Sequence, residues 1–398
     1  ALVIKTTRSC ETMNKKQMRS WGRLKQHKQI ATDVGSEAQL LECLQKPGLP
    51  MGYGRSYGDC GIASSGEAWS VPGLDDQILF NTQTGRLSCS AGTSLGKILD
   101  QTLVHGWSLP VSPGTQYVSI AGAIANDIHG KNHHRAGTFG RHVIAFELLR
   151  SSGESLSCSS TKNPEWFAAT IGGLGLTGVI TSAEIQLTKV PSAHFDVTIS
   201  PFQNLEEFFT LGNTVNDNYD YHVAWLDCAA KGSHLGRGIY MGANPAGAEF
   251  GLTRKKRLQL SMPFTPPLSI INRPTVALHN KYYYWKHARL ANTSVLQSLD
   301  QYLYPLDAIS NWNRIYGPKG FHQYQCVVPA SNQKNAVKEL LSEISKSGSG
   351  SFLAVLKSFG DTQSPGWLSF PMFGTHSRWI FPTLLSSLDY SIAWIRLC

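Results

Sequence analysis

The chain has 398 residues, 41% apolar and 10% aromatic, enough to bury a full core and to divide into two or three domains. That aromatic content excludes a disordered chain. The formal charge of +9, from 36 basic and 27 acidic side chains, favours anionic partners such as phosphates or acidic headgroups.

In chain order, 49–53 reads as a short strand entering a glycine loop, GYGRSYGDCG at 52–61. Strands are predicted at 77–81 and 86–91, and Leu95, Ile98, Leu99 and Leu103 give helical spacing over 95–105. A Pro/Gly-punctuated loop follows at 110–122. Residues 142–149 and 178–188 are β-branched, partly alternating strands, and Asn163-Pro164 between them starts a helix. The character changes near Val190-Pro191. Beyond it the pattern predicts strands at 194–199, 221–228, 237–242, 323–328 and 351–357, and helices at 204–212 and 332–346. The proline-rich, then aromatic stretch 261–285 reads as a long loop or lid. The class is α+β, in two domains of similar size.

The basic clusters, Lys15-Lys16 with Arg19, Arg23, Lys25 and Lys28, and Arg254 to Arg257, read first as solvated faces. The stretch 14–28 also suits a peripheral membrane contact. The eight cysteines are scattered without a CxxC, as expected for reduced thiols in a cytosolic protein. No apolar run approaches the roughly 20 residues of a membrane span, and the apolar start is too short for a signal-peptide core.

Several segments carry candidate chemistry. Gly173-x-Gly175-x-x-Gly178 matches the dinucleotide fingerprint as a string. The fingerprint needs a strand before it and a helix after it; here the order is reversed, which excludes a Rossmann domain. His129, His133, His134 and His142 suggest a metal site. Gly130 interrupts the helix that would align His129 with His133, Lys131 and Arg135 add positive charge, and no Glu accompanies them, so no metal is expected. A cationic pocket loop fits better, with His133 and His134 open to an incidental role. Glycine-rich turns at 52–60, 113–122, 126–130 and 172–179 together suggest one extended ligand with a pyrophosphate, clamped by backbone amides and Arg55.

GYGRSYGD at 52–59, SPGT at 112–115, AGAIANDIHGKNHHRAGTFGRHV at 121–143 and GGLGLTGVI at 172–180 resemble the PCMH-type FAD-binding domain of the vanillyl-alcohol oxidase superfamily. AWLD at 224–227, the run 304–329, SFLAVLKSFG at 351–360 and LSFP at 368–371 extend the resemblance to the branch that oxidises decaprenylphosphoryl-β-D-ribose. It implies an FAD domain at 20–190, after an extension at 1–19, and an α/β substrate domain at 191–373. FAD would lie against Gly52, Tyr53, Gly54, Arg55, Ser56, Tyr57, Gly58 and Asp59. Gly114, Ser119, Ile120, Ala121 and Gly122 would face it from a second loop, Asn126, Asp127, Ile128 and His129 from a third, and Gly178 with Val179 from a fourth. Many superfamily members carry, where Arg55 stands, a histidine bonded covalently to the flavin. A guanidinium has no free lone pair for that bond, so the expectation is non-covalent FAD.

The same resemblance assigns Tyr57, His129 and Lys357 to catalysis, and Lys131, Trp225, Gln323, Gln325 and Phe359 to the substrate. For Trp225 and Phe359 a packing role is equally compatible. Gln323 and Gln325 can face one side of a strand. The implied reaction takes a secondary sugar hydroxyl to a ketone, with His129 or Lys357 as base. The family's pocket tyrosine falls at Leu303, beside Tyr304. From about Gly374 the pattern departs from the family. No counterpart of its Tyr-x-Ala-Lys-Asp lysine is found, and 374–398 reads as an atypical, truncated tail. Implied partners are a polyprenylphosphate-linked or free sugar and a short-chain reductase completing an epimerisation, with no nucleic acid. The alternatives are an aldonolactone or alditol oxidase of the same superfamily and an inactive flavin-binding subunit.

Overall fold

The computed structural model describes residues 14–383, apart from 25–28, 59, 64, 75–76, 256–258, 292 and 349. Asp59 therefore lies outside the described residues, as do 384–398. The first half opens with β1 (Lys15–Met18), β2 (Gln29–Asp33), α1 (Glu37–Cys43), β3 (Leu49–Met51) and β4 (Glu67–Ser70), whose strands order as β1-β2-β4-β3. It continues with β5 (Ile78–Phe80), β6 (Arg86–Ser90), α2 (Leu95–Thr102), β7 (Trp107–Ser108), α3 (Ile120–Ala125), α4 (His133–Ala136), β8 (Val143–Leu149), β9 (Ser155–Ser159), α5 (Pro164–Thr170), β10 (Val179–Gln186) and β11 (Thr188–Lys189). A five-stranded sheet, β5-β6-β10-β8-β9, packs on α2 and α3 through Leu87, Leu95, Ile98, Ile124, Phe146 and Ile185. Ser94 starts α2 by accepting from Lys97 N at 3.1 Å. The helix stops at Thr102, short of the predicted 105. Leu103–His105 tighten into a 3-10 turn that ends at Gly106, φ 77°, a conformation glycine adopts without steric cost.

The second half contains β12 (His194–Phe202), α6 (Leu205–Val215), β13 (Tyr221–Leu226), β14 (Gly238–Pro245), β15 (Leu260–Ser261), α7 (Arg273–Ala288), β16 (Thr293–Ser298), α8 (Leu299–Leu303), β17 (Ile309–Ser310), β18 (Phe321–Pro329), α9 (Gln333–Ser347), β19 (Ala354–Phe359) and β20 (Gly374–Pro382). Seven strands order as β16-β12-β14-β13-β19-β20-β18. Val337, Leu340, Leu341 and Ile344 recur at helical spacing on α9 and bury against Ala354, Leu356 and Trp379 of the sheet. Because side chains alternate along a strand, this burial turns Lys357, Phe359, His376 and Arg378 toward the first half.

Two sequence expectations change here. The stretch 261–285 is not all loop: from Arg273 onward it is helix, started by a capping box between Asn272 and Thr275. Its aromatic run, a weak helix former in isolation, is held by tertiary contact, with Tyr283 4.5 Å from Trp225. Residues 374–382, assigned no element from sequence, form β20, paired with β18 over its whole length and with β19 over most of it.

The halves meet in a polar seam. Arg254 donates to Asp300 at 2.8 and 3.0 Å, to Asp100 at 2.7 Å, to Gln116 at 2.6 Å and to the Gly96 carbonyl at 3.1 Å. Ser112 and Tyr304 share a buried hydroxyl contact of 2.5 Å.

Candidate active site

The glycine turns meet along one groove of ≈ 630 Å³ empty volume, lined by Gly52 after β3, Ser119, Ala121, Gly122 and Asn126 around α3, and Gly175, Gly178 and Val179 between α5 and β10. A Cβ on Gly52 would stand 2.4 Å from Ser119 Oγ, and one on Gly122 3.0 Å from it. That hydroxyl caps α3 by accepting from Gly122 N at 3.1 Å, so its place requires Gly52 to lack a side chain. At Gly178 φ is 149° and a Cβ would meet Leu149 O at 2.7 Å.

A second cavity, ≈ 780 Å³ of empty volume, is lined by Trp21, Arg55, Tyr57, Gly114, Thr115, Tyr117, Asp307 and Trp312. Arg55 donates to Tyr53 O at 2.7 Å and stacks 4.2 Å over the Trp21 ring. Nothing lies within 4 Å of where a Gly114 Cβ would be. Tyr57 sits edge-on to Trp312 and Phe321, centroids 5.8 and 5.5 Å apart. Burial holds the Asp307 carboxyl above the usual range, although it accepts from Gln116 N at 2.9 Å.

The third zone brings the 126–134 segment against β18, β20 and β19. Lys357 Nζ lies 3.3 Å from His129 Nδ1 and donates to Gly130 O at 3.5 Å. Gln325 Nε2 lies 3.5 Å from His129 Nε2, and Gln325 Oε1 accepts from Gln323 Nε2 at 3.4 Å. Phe359 and His376 flank His129, centroids 4.9 and 4.7 Å away. Burial, reinforced by Arg378 and Lys131, pulls the Lys357 amine down to about 7. Burial alone takes Lys131 to about 7, its ammonium over the Tyr302 ring and donating to Tyr302 O. Burial, then Lys357, holds His129 well below the usual imidazole range. A near-neutral amine touching a neutral imidazole can accept a proton at physiological pH.

Not every proposed contact faces these zones. Asp127 is buried, and its carboxylate accepts from Gly140 N at 2.8 Å and from Ser364 and Ser369 at 2.5 Å. It ties its own turn to the 361–373 loop. The Ile120 side chain belongs to the core, and Ile128 packs against it. Trp225 Nε1 donates to Phe352 O at 3.0 Å and its ring rests on Tyr283. Leu303 is core, while Tyr304 next to it reaches Ser112. His133 stacks on Phe359 at 3.9 Å and His134 contacts Tyr219 O at 2.8 Å. Among the described residues no three His, Cys, Asp or Glu side chains form a metal-holding group. Sequence reading missed Trp21, Asp307, His376 and Arg378; the last two fall in the stretch where the family pattern stops.

A groove with several glycines in its lining, and polar groups gathered around His129, suit a ligand that carries a pyrophosphate and a flat ring. The glycine-lined groove fits a group such as FAD, whose phosphates need close backbone approach. Fold and site together define an FAD-dependent oxidoreductase. A model of the FAD binding domain matches residues 32–159. Decaprenylphosphoryl-beta-D-ribose oxidase of Mycolicibacterium smegmatis is 36% identical over 345 residues, 84% of this chain and 74% of that protein. A Streptomyces coelicolor protein of the mprA 5'region is 32% identical over 323 residues, 75% of this chain and 86% of that protein. A putative D-arabinono-1,4-lactone oxidase of Neurospora crassa is 32% identical over 143 residues, 35% of this chain and 25% of that protein. The chain belongs to the FAD-dependent oxidoreductase family of the decaprenylphosphoryl-beta-D-ribose oxidases.

Proposed function

We propose that this protein oxidises the 2'-hydroxyl of a polyprenylphosphoryl-β-D-ribose to the 2'-ketone, using FAD held without a covalent bond. The observation that carries the reading is the Lys357–His129 pair, 3.3 Å apart, in a pocket bordered by Gln323 and Gln325. Bound FAD supplies a ring that accepts the hydride leaving the sugar C2–H. Lys357, as the neutral amine, takes the hydroxyl proton, so that the C–O bond becomes C=O and the charges balance. His129 orients that amine through Nδ1, and Gln325 orients His129. Gln323 and Lys131 bind sugar hydroxyls. Phe359 and Tyr57 wall the pocket against water, which strengthens every polar contact inside it.

Arg55 supports the non-covalent reading, since its cation rests on Trp21 and offers no nucleophile to the flavin. We place FAD on the half ending near residue 190 and the substrate on the sheet that follows. Exposed Phe264, Leu268, Leu278, Tyr282 and Trp285 beside Lys281, Lys286 and Arg289 support contact with a membrane carrying the lipid substrate. Among the described residues no helix is long and apolar enough to cross a membrane. The product ketone suits a short-chain reductase as the next enzyme.

The test is anaerobic bleaching of the bound flavin. A farnesylphosphoryl-β-D-ribose should bleach it, arabinono-lactone and xylitol should not, and His129→Ala should slow bleaching while FAD stays bound. Acid precipitation should leave the yellow colour in the supernatant. Bleaching by the lactone alone would refute the substrate, and flavin retained in the pellet would refute the non-covalent assignment.

A further inference from the structure

Arg378 stands where three strands of the second sheet approach the Lys357–His129 pair. Its Cα lies opposite Gln325 on β18 and Val355 on β19. Its guanidinium sits 4.9 Å over the Tyr57 ring and shares a side-chain hydrogen bond with Tyr57, while its Nε is buried with no hydrogen-bond partner among the described residues. The titratable groups around it are Lys357 on β19, His376 on its own strand, and His129, Lys131 and His133 on the 126–134 segment, the three imidazoles held toward their neutral form by burial. Each of them is an amine or an imidazole, and none is a carboxylate. The neighbouring carboxylates are engaged elsewhere: Asp127 with Gly140 and two serines, Asp307 with Gln116.

A guanidinium stays protonated across the working pH range. Arg378 is half-buried, and placing its charge beside the Lys357 and Lys131 amines with no carboxylate paired to it among the described residues is unfavourable. A ligand that brings an anion removes that cost, and the planar fork of Arg suits phosphate oxygens in particular. We propose that Arg378 is a substrate-binding residue that holds the phosphoryl group of a lipid-linked sugar. The assignment rests on the functional reading above for the identity of the ligand. His376 touches His129, and Arg378 lies two residues further along the same face, about 7 Å away. In a β-ribosyl phosphate the phosphate-bearing carbon is adjacent to the one oxidised, so one sugar spans from the Lys357–His129 pair to Arg378. A neutral sugar would leave the cation unpaired.

The test uses the FAD-loaded protein and its Arg378→Met and Arg378→Lys variants. Flavin bleaching is followed with farnesylphosphoryl-β-D-ribose and with uncharged methyl β-D-ribofuranoside, and inorganic phosphate is titrated against the flavin spectrum. Arg378→Met should raise KM for the phosphoryl substrate at least about tenfold, the scale of one charge-assisted hydrogen bond. Read at about pH 9, where the Lys357 amine is neutral with or without the Arg378 charge, it should leave KM for the methyl riboside unaffected and abolish the phosphate-induced change, and Arg378→Lys should recover part of the loss. An unchanged KM for the phosphoryl substrate overturns the proposal. So does an equal loss with both sugars accompanied by a shifted flavin reduction potential, which would put the charge against the cofactor ring. If no sugar bleaches the wild type, yet phosphate perturbs it and not Arg378→Met, the oxidation reading fails and the anion site stands. If phosphate then perturbs both alike, the anion site fails as well.

Discussion

Gly52→Ala places one methyl group where the structure has no room. The new Cβ would stand 2.4 Å from Ser119 Oγ, and contacts below 3.0 Å essentially never occur, so the pair must separate by at least 0.6 Å. Neither partner moves freely. Gly52 follows β3, and Ser119 Oγ is held by Gly122 N at 3.1 Å as the cap of α3. Displacing the hydroxyl forfeits a cap worth about 1 kcal/mol, and overpacking adds about 1–3 kcal/mol. Both effects fall on the groove that receives FAD. If that whole cost of about 2–4 kcal/mol falls on binding, then at 1.4 kcal/mol per decade FAD affinity should fall roughly 30- to 700-fold. Titration of apoprotein with FAD, followed by flavin fluorescence, measures it. The diagnostic is Ser119→Ala. Alone it should weaken binding modestly through the lost cap. Combined with Gly52→Ala it removes the 2.4 Å clash and leaves a Cβ–Cβ contact of 3.4 Å, at the edge of ordinary van der Waals distance. The double variant should therefore bind FAD more tightly than the two single losses predict, by about 1 kcal/mol or more. Additivity within about 0.5 kcal/mol would show that the sites do not meet and refute the groove.

The rate of flavin reduction at saturating substrate should rise through about pH 7 and level off above it, because only the neutral Lys357 amine accepts the proton and burial brings that amine to about 7; a profile flat from about pH 6 to 8.5 would remove Lys357 as the base. His129 should add no limb in this range, since its imidazole is held well below its usual value. Arg254→Met should cost about 3–5 kcal/mol in urea unfolding, because it leaves Asp300, 8% exposed, buried without its cation. A loss under about 1 kcal/mol would mean the seam between the halves does not depend on that cluster.

The sheet signals that survived reading from sequence share one trait: apolar side chains on alternate positions with a buried side. Val143–Leu149 and Val179–Gln186 were visible because β-branched residues mark them, and the α9 helix because Val337, Leu341 and Ile344 repeat at its period. The glycine turns were visible for the opposite reason, since four clusters of residues without side chains within about 130 positions have no packing explanation. The α7 helix was hidden, because prolines crowd the stretch before it and its run of three tyrosines and a tryptophan has weak helical preference in isolation. The capping box at Asn272 and the Trp225–Tyr283 contact decide the conformation instead.

β20 was hidden for a related reason. In Thr375–Phe381 one face carries Ser377 and Trp379, packed on α9, while the other carries His376 and Arg378. A strand that turns polar groups inward does not display the alternation that a half-buried strand normally shows. The inward face carries His376 against His129 and Arg378 over Tyr57. The place of Arg378 could not be read from spacing, because the pairing that brings it to Tyr57 joins β20 to β18, some 50 residues earlier. A sequence resemblance finds residues that match a family's pattern. It passes over a residue that differs from the pattern and still points into the pocket, and the buried, unpaired Nε is the signal that recovers it.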